Sequence, residues 1–111
     1  MKDMLDKIKQ IEKRYNELGV TLSDPEVIQD YNKFRDLSKQ RKSMEETVEL
    51  YYAWQKATEA VKDAKEIIHE ESDEEMKSFM KAEIEENEAK IAEYEEKMKV
   101  LLLPRDPMDD K

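Results

Sequence analysis

The chain has 111 residues, of which 44% are charged and 38% hydrophobic, with a formal net charge of −9 and no cysteine. The length predicts a single domain, and the lack of cysteine excludes disulfides and cysteine-based zinc sites. The net charge argues against nucleic-acid binding over the whole surface, because phosphate contact requires a basic footprint. No apolar run approaches the ~20 residues that a membrane span requires, and the N-terminus lacks the apolar stretch of a signal peptide, so we expect a cytoplasmic protein with no membrane partner.

The first predicted helix covers about residues 2–18. The whole chain contains few residues that interrupt helices, with one glycine and three prolines. Its Glu, Lys, Ala and Leu content is typical of helices and coiled coils. Apolar residues recur in steps of four and three, as in a coiled-coil seam. We predict that Gly19 ends this helix in a left-handed conformation. The seam residues are Met4, Leu5, Ile8, Ile11, Tyr15 and Leu18.

A second helical region begins in the segment "TLSDPEV". Ser23 and Glu26 have the spacing of a capping box, and Pro25 suits a first helical turn, where its missing N–H costs nothing. We expect a short helical turn, a bend near Asp30, and then a long helix that runs to about residue 70.

The long helix carries its own apolar stripe, in which polar Arg41 occupies one seam position. Tyr51, Tyr52 and Trp54 could stack on a flat partner, but aromatic residues at helical spacing favour the core, with Tyr52 facing outward. We expect Trp54 to be at least half buried. The stripe residues are Phe34, Leu37, Met44, Val48, Tyr51, Trp54, Ala57, Val61, Ala64 and Ile68.

The third predicted helix follows the segment "EESDEEM", where Ser72 and Glu75 again have capping-box spacing. It ends before Pro104, because a proline disfavours helix at the residue before it. Its stripe consists of Met76, Met80, Ile84, Asn87, Ile91, Tyr94, Met98 and Leu101.

The helix lengths predict the architecture. At 1.5 Å per residue, the second and third helices would be ~57 Å and ~45 Å long, whereas the first is about half as long as the second. Short loops make neighbouring helices antiparallel. The predicted fold is therefore all-α: an elongated antiparallel three-helix bundle with a projecting two-helix coiled-coil hairpin.

Charge is distributed unevenly along the chain. Residues 1–65 carry 13 acidic and 13 basic side chains, whereas residues 66–99 carry 13 acidic and 5 basic ones. The predicted hairpin end is therefore strongly acidic.

A locally basic run covers residues 33–42. It is either an ordinary solvated face or a contact with RNA backbone. The candidate RNA-contacting residues are Lys33, Arg35, Lys39, Arg41 and Lys42.

An acidic cluster lies at the predicted turn between the second and third helices. It is either a solvated, capped turn or a contact for a protein partner, and it lacks the ligand spacing and glycine of a calcium loop. Its residues are Glu70, Glu71, Asp73, Glu74 and Glu75.

Residues for catalysis are missing from the sequence. The single histidine, His69, lies among acidic residues near a helix end; it is either a pH-sensitive contact or, as we expect, a plain exposed side chain. No second histidine and no cysteine complete a metal or nucleophile set, and no glycine-rich loop can hold a phosphate. We therefore predict no enzymatic activity, metal, cofactor or small-molecule substrate.

Two stretches carry a family resemblance. "LSDPEVIQDYNKFRDLSKQRKSMEETVELYYAW", residues 22–54, resembles the N-terminal domain of bacterial class I peptide chain release factors. "KMKVLLLPRDPMDDK", residues 97–111, is similar to the segment where that domain leads to the codon-reading domain, and is closer to the release factor 1 branch, which reads UAG and UAA. One departure is Tyr31, where many relatives carry proline after the aspartate.

The resemblance implies a domain organisation. Residues 1–103 would form the N-terminal helical domain, and residues 104–111 would begin the linker to a codon-reading domain. The junction would contain Leu101, Leu102, Leu103 and Pro104. The family's Gly-Gly-Gln motif, which promotes peptidyl-tRNA hydrolysis, cannot be present, since Gly19 is the only glycine.

The resemblance also implies partners for this domain. These are the stalk base of the large ribosomal subunit, including ribosomal RNA, and the class II release factor, which is a GTPase. The alternative hypothesis is a freestanding coiled-coil adaptor or chaperone-like module that holds a protein partner with its hairpin. A reading frame that continues into a Gly-Gly-Gln motif would distinguish the first hypothesis from the second.

Overall fold

The computed structural model describes residues 1–103, so the predictions for Pro104 and for the linker 104–111 lie outside the described residues. Within residues 1–103 the secondary structure is helical, without strands, which confirms the all-α prediction. None of these helices is long and apolar enough to cross a membrane. The helices are α1 (Lys2–Thr21), α2 (Pro25–Gln29), α3 (Tyr31–Glu70) and α4 (Glu74–Leu102).

The chain divides into two compact units, with the boundary after Glu49. The first unit contains α1, α2 and the first part of α3, and its buried apolar side chains are those of Ile8, Leu18, Val27 and Val48. The second contains the rest of α3 and α4, with Tyr51, Ala57, Val61, Ala64 and Met98 buried. The predicted bundle of three helices is compatible with these elements but remains a prediction.

The second unit is an antiparallel hairpin of helices, as its cross-helix contacts show. Trp54 donates a hydrogen bond to Glu95, and Lys65 lies 3.7 Å from Glu88. Residue numbers rise along α3 while those of their partners fall along α4. Trp54 itself is largely buried, and Tyr52 is 43% exposed beside buried Tyr51, as expected.

The start and end of α2 and the start of α3 largely agree with the predicted helix boundaries. Pro25 is the first residue of α2 and Gln29 is the last, and the next residue, Asp30, has an extended backbone (φ −93°, ψ 94°). The predicted bend is therefore present. Asp30 then caps α3, because its Oδ1 accepts a hydrogen bond from the N–H of Lys33 at 3.2 Å.

The predicted N-caps are wrong by one residue at both positions. Asp24, not Ser23, caps α2 by accepting from the N–H of Glu26. Asp73, not Ser72, caps α4 by accepting from the N–H of Glu75. A carboxylate carries a full charge next to the positive end of the helix dipole, which a hydroxyl does not.

The prediction that Gly19 ends the first helix is wrong. The helix continues to Thr21, and no residue in the described part of the chain has a positive φ. Gly19 instead leaves room for a neighbour, because a Cβ at this position would lie 3.1 Å from Nη2 of Arg41. The glycine is thus explained by the close approach of α3 to α1, not by backbone conformation.

The predicted seams agree with the observed burial except at their ends. The predicted stripe residues Phe34, Met76 and Leu101 are 37%, 41% and 37% exposed. Each lies in the first or last turn of its helix, where fewer neighbouring side chains are available to cover it.

Candidate functional site

Three residues of the predicted basic run share one exposed face of α3. Arg35, Lys39 and Lys42 follow each other at steps of four and three residues, which places them in one row along the helix. All three are exposed, and the row faces away from the side that buries Val48. We call these three residues the basic stripe.

The carboxylates next to the basic stripe pair with only part of it. Arg35 lies 3.3 Å from Asp36, and Lys42 lies 3.7 Å from Glu45. Both pairs are solvent-exposed, and such pairs contribute little stability. Lys39 makes no ion pair within residues 1–103. The stripe therefore keeps charge available for an anionic partner.

Arg41 and Lys33 do not lie in this row. The Nε–H of Arg41 donates to the carbonyl oxygen of Tyr15 at 3.1 Å, and its guanidinium lies 3.8 Å from the centre of the Tyr15 ring. Arg41 is therefore part of the packing between α1 and α3. Lys33 is exposed, but on a different side of α3. The structure thus brings together three of the five predicted RNA-contacting residues.

The acidic cluster forms the turn between α3 and α4, and several of its carboxylates have structural roles. Oε1 of Glu71 accepts hydrogen bonds from the backbone N–H groups of Ser72 and Asp73, at 3.2 and 3.0 Å. Asp73 caps α4, as described above. In the described part of the chain, no group of three or more acidic or histidine side chains is arranged to hold a metal ion.

The other charged groups at this turn face solvent. Glu70, Glu74 and Glu75 are exposed, and so is His69, as expected. Glu74 has a cationic neighbour in Lys77, at 3.6 Å. We call Glu70, Glu71, Asp73, Glu74 and Glu75 together the acidic turn.

An apolar pocket adjoins the acidic turn. Its volume is about 520 Å³, and it is lined by Asp73, Glu75, Met76, Phe79 and Met80. Phe79 is 59% and Met76 41% exposed, and large exposed apolar side chains that lie together mark interaction surfaces. Phe79 is not among the predicted contact residues, although its position off the predicted seam of α4 indicates a side chain that faces solvent.

The predicted domain junction is also apolar and exposed. Val100, Leu101 and Leu103 are 61%, 37% and 64% exposed, whereas Leu102 is partly buried. Pro104 lies outside the described residues. The helix ends at Leu102, before the proline, as predicted.

Comparison with known proteins identifies the family. The model of the PCRF domain matches residues 11–111. The chain is 46% identical over 108 residues to peptide chain release factor 1 of Oceanobacillus iheyensis and 44% identical over 108 residues to that of Bacillus subtilis. It is also 44% identical over all its 111 residues to the factor of Levilactobacillus brevis. No solved structure matches the chain significantly.

The similarity extends over almost all of this chain but only part of each relative. It covers 97% of the chain and 30% of the Oceanobacillus and Bacillus factors, and 100% of the chain and 31% of the Levilactobacillus factor. The chain therefore spans about a third of the length of these relatives. Since the family model matches residues 11–111 and the relatives are this similar, the chain belongs to the PCRF domain family of translation termination factors.

Proposed function

We propose that this chain is the N-terminal accessory domain of a release factor 1. The intact factor reads UAG and UAA and promotes peptidyl-tRNA hydrolysis on the ribosome, in the cytoplasm. This domain contributes binding and no catalysis. The observation that carries the proposal is the identity of 44–46% to peptide chain release factors 1 over at least 97% of the chain.

The absence of catalytic residues from the sequence supports an accessory role. A Gly-Gly-Gln motif needs two glycines, and Gly19 is the only one. His69 is exposed at the end of α3 and has no cysteine or second histidine to act with. Catalysis in the intact factor would then depend on residues outside this chain.

The basic stripe is the face that we propose for ribosomal RNA at the stalk base. Arg35, Lys39 and Lys42 project from one face of a single helix, so three cations lie in a row. Phosphate contacts of this kind position a protein on RNA without reading its sequence. Lys33 would add charge nearby, whereas Arg41 would act only by holding α1 against α3.

The acidic turn and its apolar pocket form the face that we propose for a protein partner. Residues 66–99 carry 13 acidic and 5 basic side chains, so phosphate groups are repelled from this region. The exposed Phe79 and Met76 offer apolar area within that acidic surround. We propose that this face contributes to interplay with the class II release factor GTPase and with protein at the stalk base.

The exposed leucines at the end of α4 support the proposed domain junction. Leu101 and Leu103, with Val100, leave apolar area uncovered within the described residues. A codon-reading domain reached through residues 104–111 would cover this area. In that arrangement residues 1–103 form the accessory domain.

Binding to ribosomes across a salt series tests the proposed RNA face. The variant Arg35→Glu with Lys39→Glu should bind more weakly than the natural chain, and its affinity should depend less on salt, because each lost phosphate contact lowers the salt slope by about one. The matched control is Lys9→Glu with Lys13→Glu, which reverses two exposed lysines at the same spacing on α1.

A second control separates the two faces. Glu74→Lys with Glu75→Lys reverses charge at the acidic turn and should leave the salt slope nearly unchanged. If the basic-stripe variant binds like the natural chain while the acidic-turn variant changes the slope, the two faces have been assigned the wrong way round. If the natural chain binds no ribosomes, its proposed binding role is contradicted.

A further inference from the structure

An exposed tyrosine extends the basic stripe at the start of α3. Tyr31 is 73% exposed and lies four residues before Arg35, so both belong to the same row. The guanidinium of Arg35 lies over the Tyr31 ring, at 5.8 Å from its centre. From Tyr31 to Lys42 the row is about 16 Å long, at 1.5 Å per residue.

The backbone that carries the Tyr31 ring is held at the start of α3. It belongs to the first residue of α3, and the helix start is held by Asp30, which accepts hydrogen bonds from Lys33 and, through its own carbonyl, from the N–H of Phe34. A tyrosine with most of its surface in water contributes little to the core. Most of the ring surface is therefore available to a partner molecule.

We propose that Tyr31 and the basic stripe together bind single-stranded RNA, with an unpaired base stacked on the Tyr31 ring. Aromatic rings that stack bases, next to cations that contact phosphates, are the combination by which proteins hold single strands. Arg35 would cover one side of the ring and leave the other side for the base. This inference rests on the proposed RNA-binding role of the stripe and names the form of RNA that it takes.

The arrangement favours a single strand over a duplex. In a double helix the bases are stacked on one another, so a surface ring cannot reach a base face, whereas unpaired bases in loops and bulges are free to stack on aromatic rings. A row of about 16 Å would accommodate on the order of four nucleotides.

The carboxylates near the row set a limit on its affinity. Asp36 competes with phosphate for Arg35, from 3.3 Å, and Glu45 competes for Lys42. Because exposed ion pairs of this kind are weak, RNA phosphates can replace them. We therefore expect binding that is weak and seen best at low salt.

The test measures binding of the 111-residue chain to two RNA probes at low salt. One probe is single-stranded oligoadenylate of about eight nucleotides, and the other is an RNA duplex of equal total charge. Tyr31→Leu should weaken binding of the single strand about fivefold or more and leave its salt slope unchanged. Tyr31→Phe keeps the ring and should bind like the natural chain.

Charge variants on the same stripe supply the comparison. Lys39→Gln should weaken binding of both probes and lower both salt slopes, because it removes a phosphate contact. In NMR spectra, the Tyr31 ring protons should shift upfield when the single strand binds, as expected for stacking. The urea unfolding midpoint of each variant shows whether it is folded, and we expect little change at exposed Tyr31.

The outcomes distinguish this inference from the proposed function. If Tyr31→Leu has no effect, or weakens both probes equally, base stacking is overturned, while a loss of ribosome binding on Arg35→Glu with Lys39→Glu would still support the stripe. If the natural chain binds neither probe at low salt, the inference is overturned. If Arg35→Glu with Lys39→Glu also leaves ribosome binding unchanged, the proposed RNA face is contradicted as well.

Discussion

The indole Nε1–H of Trp54 donates a hydrogen bond of 3.0 Å to Oε2 of Glu95, which joins α3 to α4. Both side chains are partly buried, so losing the acceptor leaves the indole N–H poorly solvated. We predict that Glu95→Ala lowers the free energy of unfolding by about 1–2 kcal/mol, measured by urea denaturation followed by tryptophan fluorescence.

A second glutamate on α4 provides the control. Glu85 is exposed and makes no hydrogen bond or ion pair with the described residues. Glu85→Ala has the same effect on helix propensity and should change stability by less than about 0.5 kcal/mol. Equal effects of the two substitutions would mean that the hydrogen bond to Trp54 contributes nothing.

Gly19 and Arg41 should be coupled in stability. Replacing a glycine inside a helix by alanine raises the free energy of unfolding by up to about 1 kcal/mol. At Gly19, however, the added Cβ would lie only 3.1–3.3 Å from the guanidinium of Arg41. That guanidinium is held by Tyr15 and cannot move away freely. We predict that Gly19→Ala stabilises an Arg41→Ala chain by up to about 1 kcal/mol and the natural chain by clearly less. Thermal unfolding of the natural chain, the two single variants and the double variant measures the difference, and identical effects of Gly19→Ala in both backgrounds would refute the coupling.

The cap of α4 should depend on Asp73 and not on Ser72. The carboxylate of Asp73 accepts from the N–H of Glu75 at 3.1 Å, whereas the exposed Ser72 side chain makes no hydrogen bond with the described part of the chain. We predict that Asp73→Ala costs about 1 kcal/mol, and that Ser72→Ala costs less than about 0.5 kcal/mol. Amide hydrogen exchange in the first turn of α4 is the direct measurement. Faster exchange in the Ser72 variant alone would contradict the observed cap.

Phe79, in the apolar pocket at the acidic turn, should contribute to binding of a protein partner and not to the stability of the fold. Phe79 is 59% exposed, so Phe79→Gln should change the free energy of unfolding by less than about 0.5 kcal/mol. We predict that it weakens binding of the chain to a class II release factor, because apolar contact area is lost. Calorimetry measures the affinity. Ala82→Gln, at an exposed position on the same helix, is the control, and a larger loss in the control would argue against the pocket.

The isolated chain should not release peptide. The sequence lacks the Gly-Gly-Gln motif, so ribosomes stalled on a stop codon with a labelled peptidyl-tRNA should retain their peptide when the 111-residue chain is added. Filter counting of released peptide is the measurement, and an intact release factor 1 is the positive control. Stop-codon-dependent release above the buffer blank would overturn the accessory role.

Helix positions followed from the sequence because they depend on contacts between residues close in the chain. The period of four and three along α1, the proline at the start of α2 and the polar turn around Asp73 are all local signals. They predicted the end of α3 at Glu70 and the break at Asp30. The N-caps were placed one residue early because neighbouring serines and aspartates compete for the same backbone N–H groups.

The tertiary structure decided which of these residues are available to a partner. The basic run contains five cationic residues, and the sequence does not show which of them are exposed. The packing of α3 on α1 engages Arg41 and leaves Arg35, Lys39 and Lys42 in solvent. The contact that holds Arg41 comes from Tyr15, 26 residues away, and no local pattern reports such a distance. The prediction that Gly19 ends α1 is wrong for the same reason, since the missing side chain of Gly19 leaves room for Arg41 of α3. Local spacing therefore determined the helices, whereas the approach of distant helices determined which side chains fill the space between them and which remain exposed.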